Sequence, residues 1–265
     1  MTSVLDKAVE DRNLIVAENE AGAGPFVILC DHASNRIPEE YPSFGFATGA
    51  LATHIAWDPG ALAVARLLSA KLDGPLFWPD VSRLVIDCNR PLDAASLIVV
   101  ESEGRPVPAN RDLSTAERAR RIDHIHVPYH DAIDACLARR LAAGVATVLI
   151  AIHSFTPVYF GNVRLWQVGI VFDEEACMAN ALISGLTADP ALTVGVNEPY
   201  SSADLVYYTV NRHARPHGLL AAMIEIRNDE IADDAGQRAW ADRLADILLA
   251  ATPALLGAAA EHAVV

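Results

Sequence analysis

Short apolar runs bounded by Gly, Pro or Asp recur along the chain and constrain its fold more than any other feature. Segments with helical spacing alternate with these runs, at residues 59–71, 115–141, 174–186 and 235–250. The alternation predicts one α/β domain over residues 1–265, with its core at about 24–252 and a mostly parallel or mixed central sheet between two layers of helices. Buried strands are expected at residues 26–30, 84–88, 145–152, 168–172 and 219–226.

Polar residues at the starts of the helical segments support these boundaries. Pro128 is expected to kink or split the segment 115–141, because proline cannot donate within a helix. The expected capping residues are Asp58 before Pro59, Ser114 with Glu117, and Asp173.

The charge balance argues against nucleic acid as a partner. Twenty Lys and Arg against 34 Asp and Glu give a net charge of −14, and the resulting field repels phosphate backbones. A buried arginine would still bind a small acid locally. We therefore expect a small-molecule acidic substrate as the partner; the sequence does not predict an oligomeric state.

Export and membrane insertion are not expected, which predicts a cytoplasmic protein. Residues 1–20 carry five acidic side chains, unlike a signal peptide. The apolar run at 145–152 is too short to span a bilayer. The cysteines have no CxxC spacing and are expected to be buried thiols, at Cys30, Cys88, Cys136 and Cys177.

Polar residues that follow the predicted strands are the candidate functional residues. Ligands of parallel sheets bind beyond the carboxyl ends of the strands. This rule selects four places, which are Asp31–Asn35, Asn89–Pro91, His153–Ser154 and Glu225–Asp229.

His32 and His153 are each brought to this edge by a different strand. Zinc binds neutral imidazole nitrogens together with a carboxylate and leaves one position for water. The pair therefore predicts one divalent metal ion, with zinc as the first choice. For either histidine taken alone, the alternative is a hydrogen-bonded core or capping residue.

Arg90 and Glu225 supply a cation and an anion at the same edge. The guanidinium of Arg90, beside Asn89, matches a carboxylate with two hydrogen bonds and indicates an acidic substrate; its alternative is a structural pair with Asp87. Glu225 lies within an apolar run, where a carboxylate is costly to bury. We predict that it is a general base, and the alternative is an ion pair with Arg227 or another arginine.

These clusters, in this order, resemble the N-formylglutamate amidohydrolase family. The resemblance extends from about residue 25 to residue 230, and its most specific part is the string Ser-Arg-x-x-x-Asp-x-Asn-Arg-Pro at 82–91. Other segments that carry it are Cys30–Pro38, Trp57–Ala61, Ile152–Ser154 and the run around Glu225.

That family is in turn similar to the zinc carboxypeptidases and aspartoacylase, which implies a zinc-carboxypeptidase-like (phosphorylase/hydrolase-like) fold. By this resemblance His32 and His153 would be zinc ligands. Asn89 and Arg90 would hold the substrate carboxylate, and Glu225 would be the base.

One position departs from the family pattern. Where a carboxylate ligand is expected three residues after the first histidine, the chain has Asn35, and an amide is a poor zinc ligand. We predict Asp58 as the third ligand instead, although helix capping explains Asp58 equally well.

The resemblance implies hydrolysis of the amide of a small N-acylated acidic amino acid such as N-formyl-L-glutamate, in histidine catabolism. One alternative is a zinc carboxypeptidase or another N-acyl amino acid deacylase that uses the same residues. A second is a carboxylate-binding relative without catalysis, which the departure at Asn35 favours. Arg83 and Arg212 are predicted as further substrate-binding residues.

The remaining candidates have weaker roles. Ser154 is not expected to be a nucleophile, since the chain has no Gly-x-Ser-x-Gly elbow. Arg212 is grouped with His213 and His217, which are expected in a loop lining the substrate pocket. Three further histidines are expected at the solvent-exposed surface. His54, four residues before Asp58, is expected on a helix surface, and its alternative is a place next to the metal ligands. His126 and His130 are expected on a solvated helix face, although Tyr129–His130 resembles a Tyr-His pair in the family.

Overall fold

The computed structural model describes residues 14–41 and 49–262, so most of the N-terminal segment 1–20 lies outside the described residues. The described strands are β1 (Ile15–Glu18), β2 (Phe26–Leu29), β3 (Leu76–Pro79), β4 (Glu101–Ser102), β5 (Arg105–Pro106), β6 (Val148–Phe155), β7 (Val158–Tyr159), β8 (Asn162–Val163), β9 (Val168–Val171), β10 (Val194–Val196) and β11 (Leu220–Arg227). The described α-helices are α1 (Ala61–Leu72), α2 (Thr115–Arg121), α3 (Val127–Ala142), α4 (Cys177–Thr187), α5 (Tyr208–Ala214) and α6 (Asp234–His262).

Seven of these strands form one sheet in the order β1-β3-β2-β6-β11-β9-β10. The central strands β3, β2, β6 and β11 are parallel. At the edges, β1 is antiparallel to β3, and β9 is antiparallel to β11. The sheet is therefore mixed, as predicted, and the β4–β5 and β7–β8 hairpins lie outside it.

Helices cover both faces of the sheet, as predicted. Side chains alternate between the faces along each strand, so that Ile28 joins the core under α1, α4 and α6, and Val27 joins the core under α3 and α5. Within the described residues, no helix combines the length and apolar character needed to cross a membrane.

The apolar run 84–88 is not a strand, contrary to the prediction. Its residues form a buried turn, held by bonds such as that from the Asp87 amide to the Leu97 carbonyl (2.8 Å). Leu84 and Val85 are fully buried under α3. A buried irregular segment is as apolar as a buried strand, so a short apolar run in the sequence does not distinguish the two.

The helix boundaries agree with the prediction at two places and differ at one. The segment 115–141 is split at Pro128, as expected: α2 ends at Arg121, one turn of π-helix follows at Ile122–His126, and α3 has Pro128 in its first turn. Asp173 does not cap α4, which begins at Cys177 with its amide bonded to Glu175. Ser114 does accept from the Glu117 amide, as predicted (3.1 Å).

Further differences concern the last helix and the cysteines. α6 continues past the predicted end at residue 250 and contains Pro253. Cys30, Cys88 and Cys136 are buried as predicted, whereas Cys177 is exposed at the first turn of α4.

The turn before α1 depends on Gly60. Its φ is +82°, and a Cβ at this position would lie 2.4 Å from the Ile231 carbonyl oxygen. A side chain would therefore combine backbone strain with a clash against backbone.

We expect Gly60→Ala to lower the free energy of unfolding by more than about 2 kcal/mol, because both costs apply. Gly104→Ala is the matched control, since its φ is +72° but a Cβ there has nothing within 4 Å. That change should cost only about 1 kcal/mol. Denaturant unfolding measures both, and equal losses would contradict the role of the close approach.

Candidate functional site

Two histidines and one aspartate meet at the carboxyl edge of β2 and β6. His32 follows β2, His153 lies in β6, and Asp58 lies in the turn before α1. The Asp58 amide donates to the His32 carbonyl (2.9 Å), which ties the two loops together. Asp58 Oδ2 then lies 2.8 Å from His153 Nδ1 and 3.3 Å from His32 Nδ1. All three side chains are buried.

A second carboxylate holds the outer nitrogen of each histidine. His32 Nε2 is 2.7 Å from Asp87 Oδ1, and His153 Nε2 is 3.0 Å from Asp31 Oδ2. An ionised carboxylate only accepts hydrogen bonds, so each Nε2 carries a proton and donates it. In a neutral ring this leaves the Nδ1 lone pair facing Asp58, which is the tautomer that a metal ligand needs.

The three groups fit a divalent metal. One ligand atom from each of His32, Asp58 and His153 lies within 4.8 Å of the others. Two lone pairs and a carboxylate oxygen aimed at one point repel each other unless a cation or a proton lies between them. Two imidazoles with one carboxylate is a donor set suited to zinc and other transition metals.

The electrostatics of the metal-free group point the same way. Burial lowers the pKa of His153, but its hydrogen bonds to Asp31 and Asp58 raise that pKa well above its usual range. Burial raises the pKa of Asp58, yet the charges and hydrogen bonds of His32 and His153 lower it on balance. These contacts thus favour a positive charge on His153 beside the negative charge of Asp58.

The carboxylates behind the histidines have further donors. Asp31 Oδ1 accepts from the hydroxyls of Tyr129 (2.9 Å) and Thr209 (2.8 Å). Asp87 accepts from the Asn89 amide (2.9 Å) and from Arg83 Nη2 (3.2 Å). Burial opposes ionisation of Asp87, but His32, Arg90 and Arg83 hold its pKa well below its usual range.

The structure brings Asp58, and not Asn35, to the two histidines. Asn35 Nδ2 donates to the Leu51 carbonyl (3.0 Å) instead. Asp58 does not cap α1 with its side chain either, since the helix begins after Gly60 with no side-chain cap. Both alternatives for Asp58 were equal in the sequence, and the geometry favours the ligand role.

Glu225 lies beside this group. It is in β11, directly opposite His153 in the parallel register with β6, and it is buried. Burial raises the pKa of Glu225 to about 7, and the charge of Asp58 adds to this effect. Arg227 bonds to Asp229 (2.7 Å) and Glu230 (2.9 Å), so the alternative ion pair with Glu225 is not made.

A cavity of about 250 Å³ opens at the group. Its wall contains the guanidinium of Arg90, whose Nε donates to Ser96 Oγ (3.2 Å) and whose Nη1 donates to the carbonyls of Asn89 (2.8 Å) and Leu205 (3.1 Å). These bonds hold the positively charged Arg90 guanidinium at the wall of the cavity. The residues that line the cavity include His32, Asp58, Arg83, Arg90, His153 and Glu225.

The other predicted substrate-binding residues differ in their placement. Arg83 lines the cavity but also pairs with Asp87 (3.2 Å) and Asp58 (3.5 Å). Asn89 lines it too, while its side-chain amide donates to the Val206 carbonyl and accepts from the Thr209 amide.

Arg212 is not among the residues that line this cavity, contrary to the expectation for its segment. Its guanidinium donates to the Tyr208 hydroxyl (3.1 Å) and lies 3.8 Å from Asp134. His213 and His217 do not line the cavity either; His213 is fully buried in α5.

Three histidines expected at the surface lie elsewhere. His126 and His130 are buried, not on a solvated face, because the helix from α2 to α3 turns them toward the segment Cys88–Arg90. His54 lines the cavity and lies 2.9 Å from Glu103 of the β4–β5 turn.

Sequence reasoning did not assign the roles of several residues around the site. Asp31 and Asp87 belong to the motif strings, and their places directly before His32 and two residues before Asn89 are a usable signal. Tyr200 lines the cavity with its hydroxyl accepting from Arg164 (3.0 Å), and no local pattern marks either residue.

Comparisons with known proteins agree with this geometry. The family model described as N-formylglutamate amidohydrolase matches residues 24–232. No curated protein matches the chain.

Solved structures share the fold. A gene product of Agrobacterium tumefaciens is 43% identical with a TM-score of 0.90, over 94% of this chain and 98% of its own. An N-formylglutamate amidohydrolase from Ralstonia eutropha is 20% identical with a TM-score of 0.65, over 90% of this chain and 96% of its own.

The metal ligands are tested by substituting, one at a time, the two candidates for the third ligand. Asp58→Asn should lower zinc affinity by about 100-fold or more, because it removes the only carboxylate predicted as a ligand. Asn35→Ala should leave zinc affinity unchanged. Metal titration of the purified variants, followed by calorimetry, distinguishes them. Zinc bound with wild-type affinity by the Asp58 variant would exclude this ligand set.

Proposed function

The chain belongs to the N-formylglutamate amidohydrolase family, and from this premise we propose that it hydrolyses the amide of a small N-acylated acidic amino acid, such as N-formyl-L-glutamate, with one divalent metal ion. The proposal rests on one arrangement of side chains. Glu225, a carboxylate with a raised pKa, lies beside His32, Asp58 and His153. The cavity that these residues line is also lined by Arg90. Cytoplasmic location and a role in histidine catabolism stay predictions from the sequence.

His32, Asp58 and His153 would hold the metal, which when bound polarises the acyl carbonyl and lowers the pKa of a water molecule to about 7. Asp31 and Asp87 keep the imidazoles in the ligating tautomer through their hydrogen bonds to Nε2. The negative charges of Asp31 and Asp87 also make the Nδ1 atoms of the two histidines more basic.

Glu225 moves the proton in the proposed reaction. As a carboxylate it takes a proton from the attacking water, whose oxygen forms a bond to the acyl carbon. As a carboxylic acid it returns that proton to the amine nitrogen when the C–N bond breaks. A pKa near 7 suits both tasks, because the group is then neither too weak a base nor too weak an acid.

Arg90 binds the carboxylate of the substrate. The bonds to Ser96, Asn89 and Leu205 fix the guanidinium, so little freedom is lost when the substrate binds. A fixed carboxylate determines which amide lies next to Glu225. This preference for an acid separates the proposal from a general deacylase.

Two alternatives are tested by the same assay. A zinc carboxypeptidase or another N-acyl amino acid deacylase would use this machinery on a different amide, and a carboxylate-binding relative would not turn over any. A panel of N-formyl, N-acetyl and longer N-acyl acidic amino acids, assayed with zinc, cobalt and manganese, distinguishes the proposed function from the first alternative by the amide that is hydrolysed fastest. Tight binding of the panel compounds without turnover under any metal would favour the second alternative.

Glu225→Gln should lower kcat by at least about 100-fold, because it removes the proton acceptor. It should leave metal content unchanged, since Glu225 is not one of the three predicted ligands. In the wild type, kcat/KM should fall as the pH is lowered through about 7, where Glu225 becomes protonated. Glu174→Gln, at an exposed site, is the control. Retention of wild-type kcat by the Glu225 variant would exclude the role.

Arg90→Ala should raise KM for N-formyl-L-glutamate by about 100-fold, the effect of removing one partner of a charge-assisted hydrogen-bonded pair. Turnover of a neutral N-formyl amide of similar size should change little, and this comparison is the internal control. Steady-state kinetics on both substrates, with metal content measured alongside, carries out the test. Equal losses on the two substrates would show that Arg90 does not recognise the carboxylate.

A further inference from the structure

A second group of histidines lies behind the substrate-binding segment Cys88–Arg90. His126 ends the π-helical turn and His130 follows one turn later in α3. His126 Nε2 lies 2.9 Å from the Arg90 carbonyl oxygen, and His130 Nε2 lies 3.0 Å from the Cys88 carbonyl oxygen. A carbonyl only accepts, so both Nε2 atoms are protonated donors. Two imidazoles thus hold the carbonyl groups of Cys88 and Arg90, the residues on either side of Asn89.

The hydrogen bonds continue from His130 to the protein surface. His130 Nδ1 lies 2.8 Å from His213 Nε2, and His213 Nδ1 lies 2.7 Å from Asp134 Oδ1. His130 and His213 are fully buried, whereas half of the Asp134 side chain is exposed. The chain of contacts therefore connects solvent to the Cys88 carbonyl.

Counting donors and acceptors determines where the protons lie. Burial and two neighbouring histidines lower the pKa of His130 to about 2, so its ring is neutral and its only proton is on Nε2. His130 Nδ1 must then accept, and His213 Nε2 must donate. The contact between His213 Nδ1 and Asp134 needs a further proton. All three contacts are hydrogen bonds at once only while the Asp134–His213 pair holds one proton more than a neutral imidazole beside a carboxylate.

Loss of that proton changes the two inner bonds of the chain, between His213 and His130 and between His130 and the Cys88 carbonyl. A neutral His213 beside an ionised Asp134 places its remaining proton on Nδ1, so its Nε2 becomes an acceptor. His130 must then donate from Nδ1 to keep the bond between the rings. With its single proton on Nδ1, His130 no longer donates to the Cys88 carbonyl.

We propose that Asp134, His213 and His130 form a proton-linked relay that positions the segment Cys88–Arg90, and that loss of the proton shared by Asp134 and His213 releases this segment. The three are positioning residues, because none is among the residues that line the cavity. The effect on substrate binding rests on the role proposed above for Arg90. The relay itself is a property of the protein without substrate.

The charged groups around the relay set the direction of its pH dependence. Burial and Arg212 lower the pKa of His213, and Asp134 and Asp31 raise it; the net direction is downward. His130 faces His126, His213, Arg212 and Asp31. The relay is therefore complete at low pH and is released as the pH rises, the reverse of the trend in kcat/KM that Glu225 imposes.

The first test needs no substrate. Nitrogen-15 NMR of the histidine rings should show His130 with its proton on Nε2 at low pH and on Nδ1 at high pH, with His213 titrating over the same range. A proton that stays on Nε2 of His130 throughout would overturn the relay. This readout is independent of hydrolysis, so it separates failure of the relay from failure of the proposed function.

The second test uses Asp134→Asn and a matched control. The asparagine amide donates to neutral His213 without titrating, so the relay should stay complete and KM for N-formyl-L-glutamate should keep its low-pH value. In the wild type KM should rise about five- to tenfold across the same range, the effect of one lost hydrogen bond. Asp131→Asn, an exposed change of equal charge one turn earlier, should titrate like the wild type. The same rise in KM for Asp134→Asn would overturn the proposal.

Discussion

The site depends on a charge balance in a buried volume. The carboxylates of Asp31, Asp58 and Asp87 lie around two imidazoles, and the guanidinium groups of Arg83 and Arg90 offset only part of this negative charge. Buried charge that is not balanced is costly, so the group needs a cation at its centre. A divalent ion together with an ionised Glu225 would make the whole assembly neutral. Deprotonation of the base and occupancy of the metal position are therefore coupled electrostatically.

The order of strands in the sheet brings these charges together. β2, β6 and β11 are adjacent and parallel, so the carboxyl ends that carry His32, His153 and Glu225 lie side by side. The remaining members come from loops without regular structure, and backbone bonds such as that from the Asp58 amide to His32 hold them in place. The strand register thus sets the positions of Glu225 and His153, and hydrogen bonds set the positions of the other residues.

The sequence was sufficient to identify the site residues whose neighbours are determined by the order of strands in the sheet. Buried strands ending in polar residues could be read from hydropathy, and they led to His32, His153 and Glu225. It was insufficient where a residue's neighbours come from distant irregular chain. Arg212 was expected at the cavity and lies against Tyr208 and Asp134, and the apolar run 84–88 is a buried turn. Tyr200 and Arg164 have no local signal, since their contact joins residues 36 positions apart.

The two histidine groups show why residue type alone does not indicate function. His32 and His153 each donate Nε2–H to a carboxylate, which makes Nδ1 a better donor of electrons to a cation, and these two nitrogens converge on Asp58. His126 and His130 donate Nε2–H to carbonyls, and the free nitrogen of His130 meets another imidazole instead of a carboxylate. We propose a metal at the first arrangement and transfer of a proton along the second. The difference lies in the acceptor behind each ring, which the spacing of four residues between His126 and His130 does not show.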